Sequence, residues 1–299
     1  MFRDNASLLA VALIVYSLGL RHGLDADHIV AIDNVTRNFV ERNEKSLLVG
    51  LFFAMGHSAL IMLGTMAIAC SAVLTGVIER INGAGETIGT AVSAIFLLAV
   101  AVMNGSTLIT TLKQSCPSGR NAADGVRTGY LNQNLKSLFR LVSRSWHMLP
   151  LGFLFGFGFD TASEIAMVGI SAGETAKGAS PATIAIFGSL FCTGMTIVDT
   201  ADGILMKRAY EWAFVEPSRR IRYNLLITSI SVAAALLIGG AELFGLIRQF
   251  LDFTGTFWSA IAGISDNFSV IGVIVVCLFL LVWTSFILAD RRSAIRGLD

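Results

Sequence analysis

Seven long apolar stretches divide the chain, at roughly residues 7–34, 47–75, 86–111, 149–170, 181–206, 224–246 and 268–289. At about 1.5 Å of rise per residue, each is long enough to cross a hydrocarbon layer of about 30 Å as a helix. No series of segments of about ten residues alternates apolar and polar positions, as the strands of a membrane barrel would. The pattern predicts an all-α polytopic membrane protein of about seven transmembrane helices, with residues 1–299 forming a single transmembrane domain.

Polar positions inside these stretches are few and grouped. The first holds Arg21-His22-Gly23-Leu24-Asp25-Ala26-Asp27-His28, the second Gly56-His57-Ser58, and the third Asn104 with some hydroxyls. The fourth opens with Gly158-Phe159-Asp160-Thr161-Ala162-Ser163-Glu164, and the fifth holds Asp199-Thr200-Ala201-Asp202-Gly203. Glu242, near a loop, reads as solvated, and the seventh stretch is almost wholly apolar. Gly23 to Asp27 echoes Gly158 to Ala162, and Phe53 to Ser58 echoes Phe191 to Thr196. A three-span unit repeated once must invert, because three is odd. The expectation is a 3+3 inverted repeat plus one extra helix, an arrangement that in secondary transporters places the binding site near the midplane.

Composition sharpens the class. Charged residues make up 14% of the chain, against about 25% in soluble domains, and hydrophobic ones 54%; mean hydropathy is +0.70. A multi-pass protein of the cell membrane is expected, with lipid around it and no nucleic-acid partner. Cys70, Cys116, Cys192 and Cys277 lie in separate segments without a CxxC pair, so neither a disulfide framework nor a zinc knuckle is expected. The start, Met1-Phe2-Arg3-Asp4, is not strongly basic and its apolar run leads into the charged motif, so no cleaved signal peptide is expected.

Loop charge orients the spans. Loops 35–46, 112–148 and 207–223 and the C-terminal tail carry seventeen lysines and arginines, against four on the other side. The rule that cytoplasmic loops are positive predicts an N-out, C-in chain. Within the 112–148 loop, Leu131, Leu135, Leu138 and Val142 recur at helical spacing, with Lys136, Arg140 and Arg144 elsewhere. That predicts an amphipathic helix over 131–146 lying on the anionic inner leaflet, with a partner-binding helix as the alternative.

Five ionisable groups in eight residues of the first span need a reason, since each costs about 2.5–3.5 kcal/mol at the membrane centre. Two imidazoles and two carboxylates are ligands that suit a divalent transition metal. On a straight helix, turning about 100° per residue, His22, Asp25 and His28 form one stripe and Asp27 falls on another face. Gly19 and Gly23 would allow a kink that lets Asp27 join the metal or pair with Arg21. The structural alternative is a charge-paired network of Arg21 with Asp27 and histidine donors. His57, alone, reads either as a packing residue or as a third imidazole in or behind the ligand shell. Asp160 and Glu164 share a helix face, as do Asp199 and Asp202, and with Ser58 and Asn104 they could line a cation route. Helix capping by Asp160 and interfacial placement of Asp202 near Lys207 are the alternatives.

These motifs resemble the nickel/cobalt transporter family of single-component membrane permeases. The signature is Arg21-His22-Gly23-Leu24-Asp25-Ala26-Asp27-His28-Ile29, joined by Gly56-His57-Ser58, Gly158 to Ile165, Phe191 to Met195 and Asp199 to Gly203. The resemblance implies high-affinity uptake of Ni2+, Co2+ or both as substrate rather than cofactor, with the first motif in metal recognition. Gly23 stands where the family has alanine. The family's usual eight spans place the signature in the second; here it lies in the first span found.

Rival classes are an intramembrane metalloenzyme and a metal-sensing accessory protein that does not transport. There is no His-Glu-x-x-His, and four histidines are too few for a desaturase-type di-iron site. Gly169-Ile170-Ser171-Ala172-Gly173 spells a serine-nucleophile pattern but sits at a span end, and reads as a loop. The expectation is a secondary-type permease, not an enzyme, with no obligatory ATPase partner.

Overall fold

The computed structural model describes residues 6–70, 75–115, 142–158, 181–215 and 217–296. They form α1 (Ala6–His22), α2 (Ala26–Glu41), α3 (Val49–Cys70), α4 (Thr75–Ser115), a short 3-10 turn (Ser145–His147), α5 (Met148–Phe155), α6 (Pro181–Phe214), α7 (Pro217–Leu251), α8 (Thr256–Ser265) and α9 (Phe268–Arg296). No strand occurs among the described residues. The protein is an all-α polytopic membrane protein. Val49–Ala67, Thr87–Ile109, Ala182–Phe214, Arg222–Leu251 and Phe268–Asp290 are long and apolar enough to cross a membrane. Asp160, Glu164, the Gly169–Gly173 pattern and residues 131–141 of the expected 131–146 helix lie outside the described residues, as does the later part of the expected fourth span; residues 142–146, which are described, form no α-helix but lead into the 3-10 turn.

The first expected span is not one helix. α1 and α2 meet at a bend of 50°. Gly23 N closes the last α-turn on Gly19 O at 3.1 Å, then Leu24 N and Asp25 N donate to Arg21 O and His22 O at 3.0 and 2.9 Å. That tightening to 3-10 bonds ends α1. Asp25 is extended, at φ −64° and ψ 142°, and opens α2. The straight-helix stripe of His22, Asp25 and His28 is therefore replaced by two helix ends that face one another.

α2 is central, and buried on nearly every side. Ala26, Ile29, Val30, Ala31, Ile32 and Val35 are buried, but so are Asp33, Asn34 and Arg37. The expected break between span and loop at residue 34 is absent, because α2 runs to Glu41 and Arg37 is buried within it. A buried helix with this many polar side chains requires partners for them on its neighbours.

Two helix crossings frame α2. α1 packs on α6, α5 packs on α3, and α3 packs on α6. A Cβ added to Gly194 would lie 2.6 Å from Tyr16 O and 2.8 Å from Leu20 N, and one added to Gly19 would strike Phe191 O. At the other crossing, a Cβ on Gly56 would strike Leu149 O and lie 2.9 Å from Phe153 N, and one on Gly152 would strike Phe53 O. Small residues let the backbones touch at both places. Tyr16, Gly19 and Leu20 stand to one crossing as Leu149, Gly152 and Phe153 stand to the other. The bonds that end α1 also recur at the end of α5, where Gly156 N donates to Gly152 O, Phe157 N to Leu154 O and Gly158 N to Phe155 O, at 2.9, 3.3 and 2.8 Å. In this register Gly23 corresponds to Gly156, two residues from the sequence echo that matched it to Gly158. The echo followed residue identity, whereas the backbone follows the helix ending.

Candidate metal site

The break in the first span brings three imidazoles together. His22 ends α1, His28 lies in the first turn of α2, and His57 comes from the middle of α3. All three are buried, and one ring nitrogen of each lies within 4.8 Å of the other two. Ring centroids are 4.9 Å apart for His22 and His28, 5.0 Å for His22 and His57, and 4.7 Å for His28 and His57. His22 Nε2 and His57 Nε2 are 3.0 Å apart. Two imidazole nitrogens bound at about 2.1 Å to one ion, at right angles, stand about 3.0 Å apart. Phe191 flanks His22 and Phe53 flanks His28, at 5.6 and 4.9 Å between ring centroids, so the wall behind the cluster is apolar.

Carboxylates orient two of the rings. His22 Nδ1 lies 3.0 Å from Asp25 Oδ2, one turn along the chain across the break. His28 Nδ1 donates to Asp199 of α6, at 3.2 and 3.3 Å from its two oxygens. A carboxylate on one ring nitrogen fixes the tautomer and makes the other the better ligand. His28 Nε2 is buried and has no hydrogen-bond partner among the described residues. Asp25 is held by Ser269, at the start of α9, which also accepts from Arg21 Nε at 3.3 Å. No ion pair joins Arg21 to Asp27 among the described residues, so that half of the charge-paired alternative is absent, while the histidine-to-carboxylate contacts it also called for are present.

Asp27 stands apart from the three rings. Its Oδ1 accepts from His28 N at 2.9 Å, and the side chain is half-buried. It lines a cavity of about 630 Å³ that reaches His22, Asp25 and His57 and is bounded by the end of α7 and by α8. Glu242 lines the same cavity. Read from sequence as solvated, Glu242 is in fact buried and accepts from Ser93 Oγ at 2.8 Å. Ser58 follows His57; its Oγ is buried with no hydrogen-bond partner among the described residues, and its carbonyl faces Cys192 Sγ at 3.7 Å.

Farther along α2 lies a second polar group, away from the imidazoles. Asp33 accepts from Tyr210 Oη at 2.5 Å and Ser231 Oγ at 2.7 Å. Arg37 donates to Thr228 Oγ1 at 2.6 Å and to Asn34 Oδ1 at 2.9 Å. Asn104 also donates to Asn34 Oδ1, so it belongs to this group and not to the imidazole cluster. Asp202 is buried nearby and is not interfacial, since Lys207 pairs instead with Glu211 at 2.5 Å. Asp33, Asn34, Arg37 and Ser269 were not singled out from the sequence. A signal existed for three of them, because Arg37 stands one turn after both Asp33 and Asn34, at i+4 and i+3, within reach of each.

Residues 8–289 match the family described as high-affinity nickel-transport protein. The chain is 44% identical over 300 residues to the hydrogenase nickel incorporation protein HupN of Bradyrhizobium diazoefficiens, covering 98% of this chain and 79% of that protein. It is 40% identical over 289 residues to the nickel transporter NixA of Staphylococcus aureus, covering 94% and 85%. It is 36% identical over 304 residues to the cobalt transport protein NhlF of Rhodococcus rhodochrous, covering 97% and 85%. No solved structure matches the chain.

Proposed function

This chain belongs to the high-affinity nickel-transport protein family, and from that premise we propose that it is a permease carrying Ni2+, Co2+ or both into the cell through the imidazole cluster. The observation that carries the reading is the 3.0 Å approach of His22 Nε2 to His57 Nε2 beside the buried Nε2 of His28, which has no hydrogen-bond partner among the described residues. Three nitrogen ligands with carboxylates behind two of them suit a borderline divalent ion. Asp25 and Asp199 act as orienting groups, with Asp25 near enough to join the ligand set. Asp27, at the cavity wall, receives the hydrated ion and strips part of its water.

Loop charge places the cavity at the outer face and the basic loops in the cytoplasm. The matched crossings of α1 on α6 and of α5 on α3 support an inverted repeat, and rocking of one repeat against the other would expose the cluster to each side in turn. One shift along the sequence carries both Gly23 onto Gly156 and Asp27 onto Asp160, and the reading includes Asp160, with Glu164, on the route as the counterpart of the outer acid. Asp199, Asp202, Ser58 and Asn104 complete its polar lining. A divalent ion moving inward at about 100 mV gains about 4.6 kcal/mol, or about three decades of accumulation. The membrane potential is therefore a sufficient driving force, and the reading includes no ATPase.

Sealed proteoliposomes containing only this chain test the reading. Wild type accumulates 63Ni2+ under an inside-negative potential, and H22A and D27A insert into the membrane but do not accumulate it. Binding without accumulation by the wild type would exclude a permease; uptake retained by H22A would exclude this site.

A further inference from the structure

A high-affinity site in a transporter creates a problem of release. An ion held by imidazoles leaves slowly unless a weaker site lies next along the route. On the cytoplasmic side of the cluster the structure holds a feature that the imidazole site does not use. Asp202 is 6% exposed, and neither of its carboxylate oxygens has a hydrogen-bond partner among the described residues. Among the described residues, its charged neighbours include two more acids, Asp33 and Asp199. Asp199 lies one turn earlier on α6. Gly203, the residue after Asp202, packs against α3 and α2 so closely that a Cβ there would lie 3.1 Å from Gly50 N and 3.5 Å from Ile32 Cγ2. That contact brings the Asp202–Gly203 turn of α6 against the Ile32–Asp33 step of α2.

The three acids differ in how their charge is met. Asp199 faces His28, and Asp33 has a donor on each oxygen, from Tyr210 and Ser231. Asp202 has neither. A buried carboxylate with no donor is a costly group, and inside a membrane it marks an ion pathway by default. No packing need explains it, since Asn or Leu would fill the same space without a charge.

We propose that Asp202, with Asp199 one turn before it and Asp33 across from it, forms a second, oxygen-only station for the transported divalent cation, next on the route after the histidine cluster. The proposal rests on the permease reading. Carboxylate oxygen binds these metals more weakly than imidazole does and suits Mn2+ and Mg2+ comparatively better. The station therefore draws the ion off the imidazoles without retaining it. Asp199, hydrogen-bonded to His28, links the two.

The test uses the full chain, in detergent for binding and in proteoliposomes for flux. D202N is expected to bind one 63Ni2+ at wild-type affinity in equilibrium dialysis and to lose at least about tenfold in uptake rate. D202E restores most of that rate. The melting temperature of D202N is expected to equal or exceed that of wild type, because a buried acid with no hydrogen-bond partner among the described residues is removed. Uptake by D202N at the wild-type rate would overturn the proposal, and so would loss of Ni2+ binding or a lowered melting temperature in D202N. A wild type that fails to accumulate Ni2+ would instead overturn the permease reading. The station is then judged by Mn2+ titration followed by electron paramagnetic resonance: H57A retains a bound Mn2+ that the H57A/D202N double variant lacks, and Mn2+ retained by the double variant would overturn the station.

Discussion

His22 Nε2 and His57 Nε2 approach to 3.0 Å although 35 residues separate them in the chain. At that distance one neutral imidazole donates its N–H to the other ring's bare nitrogen, and a bound ion would replace that single hydrogen bond with two ligand bonds. H57A should therefore weaken Ni2+ binding by at least about 100-fold, the upper range for loss of a group that only supports a ligand. H147A should leave binding unchanged. Titration calorimetry on purified protein checks both, and an H57A affinity within threefold of wild type would remove His57 from the site.

Asp199 acts on the metal through His28. D199A should cost about 10–100-fold in affinity, as for other groups that orient a ligating histidine. Because the ligand itself stays, the number of imidazoles around bound Ni2+ in X-ray absorption spectra should not fall. A lost imidazole in D199A would make Asp199 a determinant of the fold around His28 instead.

The two crossings depend on glycine for steric reasons. G194V or G56V forces side-chain atoms into the backbone of α1 or α5, at a cost of about 1–3 kcal/mol in stability. G240A is the control, since a Cβ at Gly240 meets nothing within 4 Å. Thermal unfolding in detergent should show lower melting points for the first two variants and none for the third.

Metal binding at this cluster requires neutral imidazoles. An ordinary histidine takes up a proton near pH 6.5, and protons compete with the metal for the same nitrogens. Affinity should accordingly be full above neutrality and fall as the pH drops below about 6. A Kd that stays flat from pH 7.5 to about 5 would exclude a histidine-based site.

Much of this protein is written locally. Hydropathy marks α3, α4, α6, α7 and α9 as spans because each buries an apolar surface in lipid whatever its neighbours do. The types of ligand are equally local: His22, Asp25, Asp27 and His28 stand within one segment too costly to expose to lipid. Glu242 and Arg37 were misplaced for a related reason. Sequence distance from the centre of a span suggested water, while the neighbouring helices bury both and supply Ser93 to one and Thr228 to the other.

By itself, then, the sequence determined that the chain is a helical membrane protein carrying metal-type ligands in its first span. Tertiary structure alone decided that His57 joins His22 and His28, that Asp199 backs His28, and that Asp202 has no donor among the described residues. The physical reason is that helix formation and lipid burial are governed by residues within a few turns. The meeting of side chains from different helices depends on rotation, tilt and approach, which here are set by backbone contacts at Gly19, Gly56, Gly152 and Gly194 and by the break after His22.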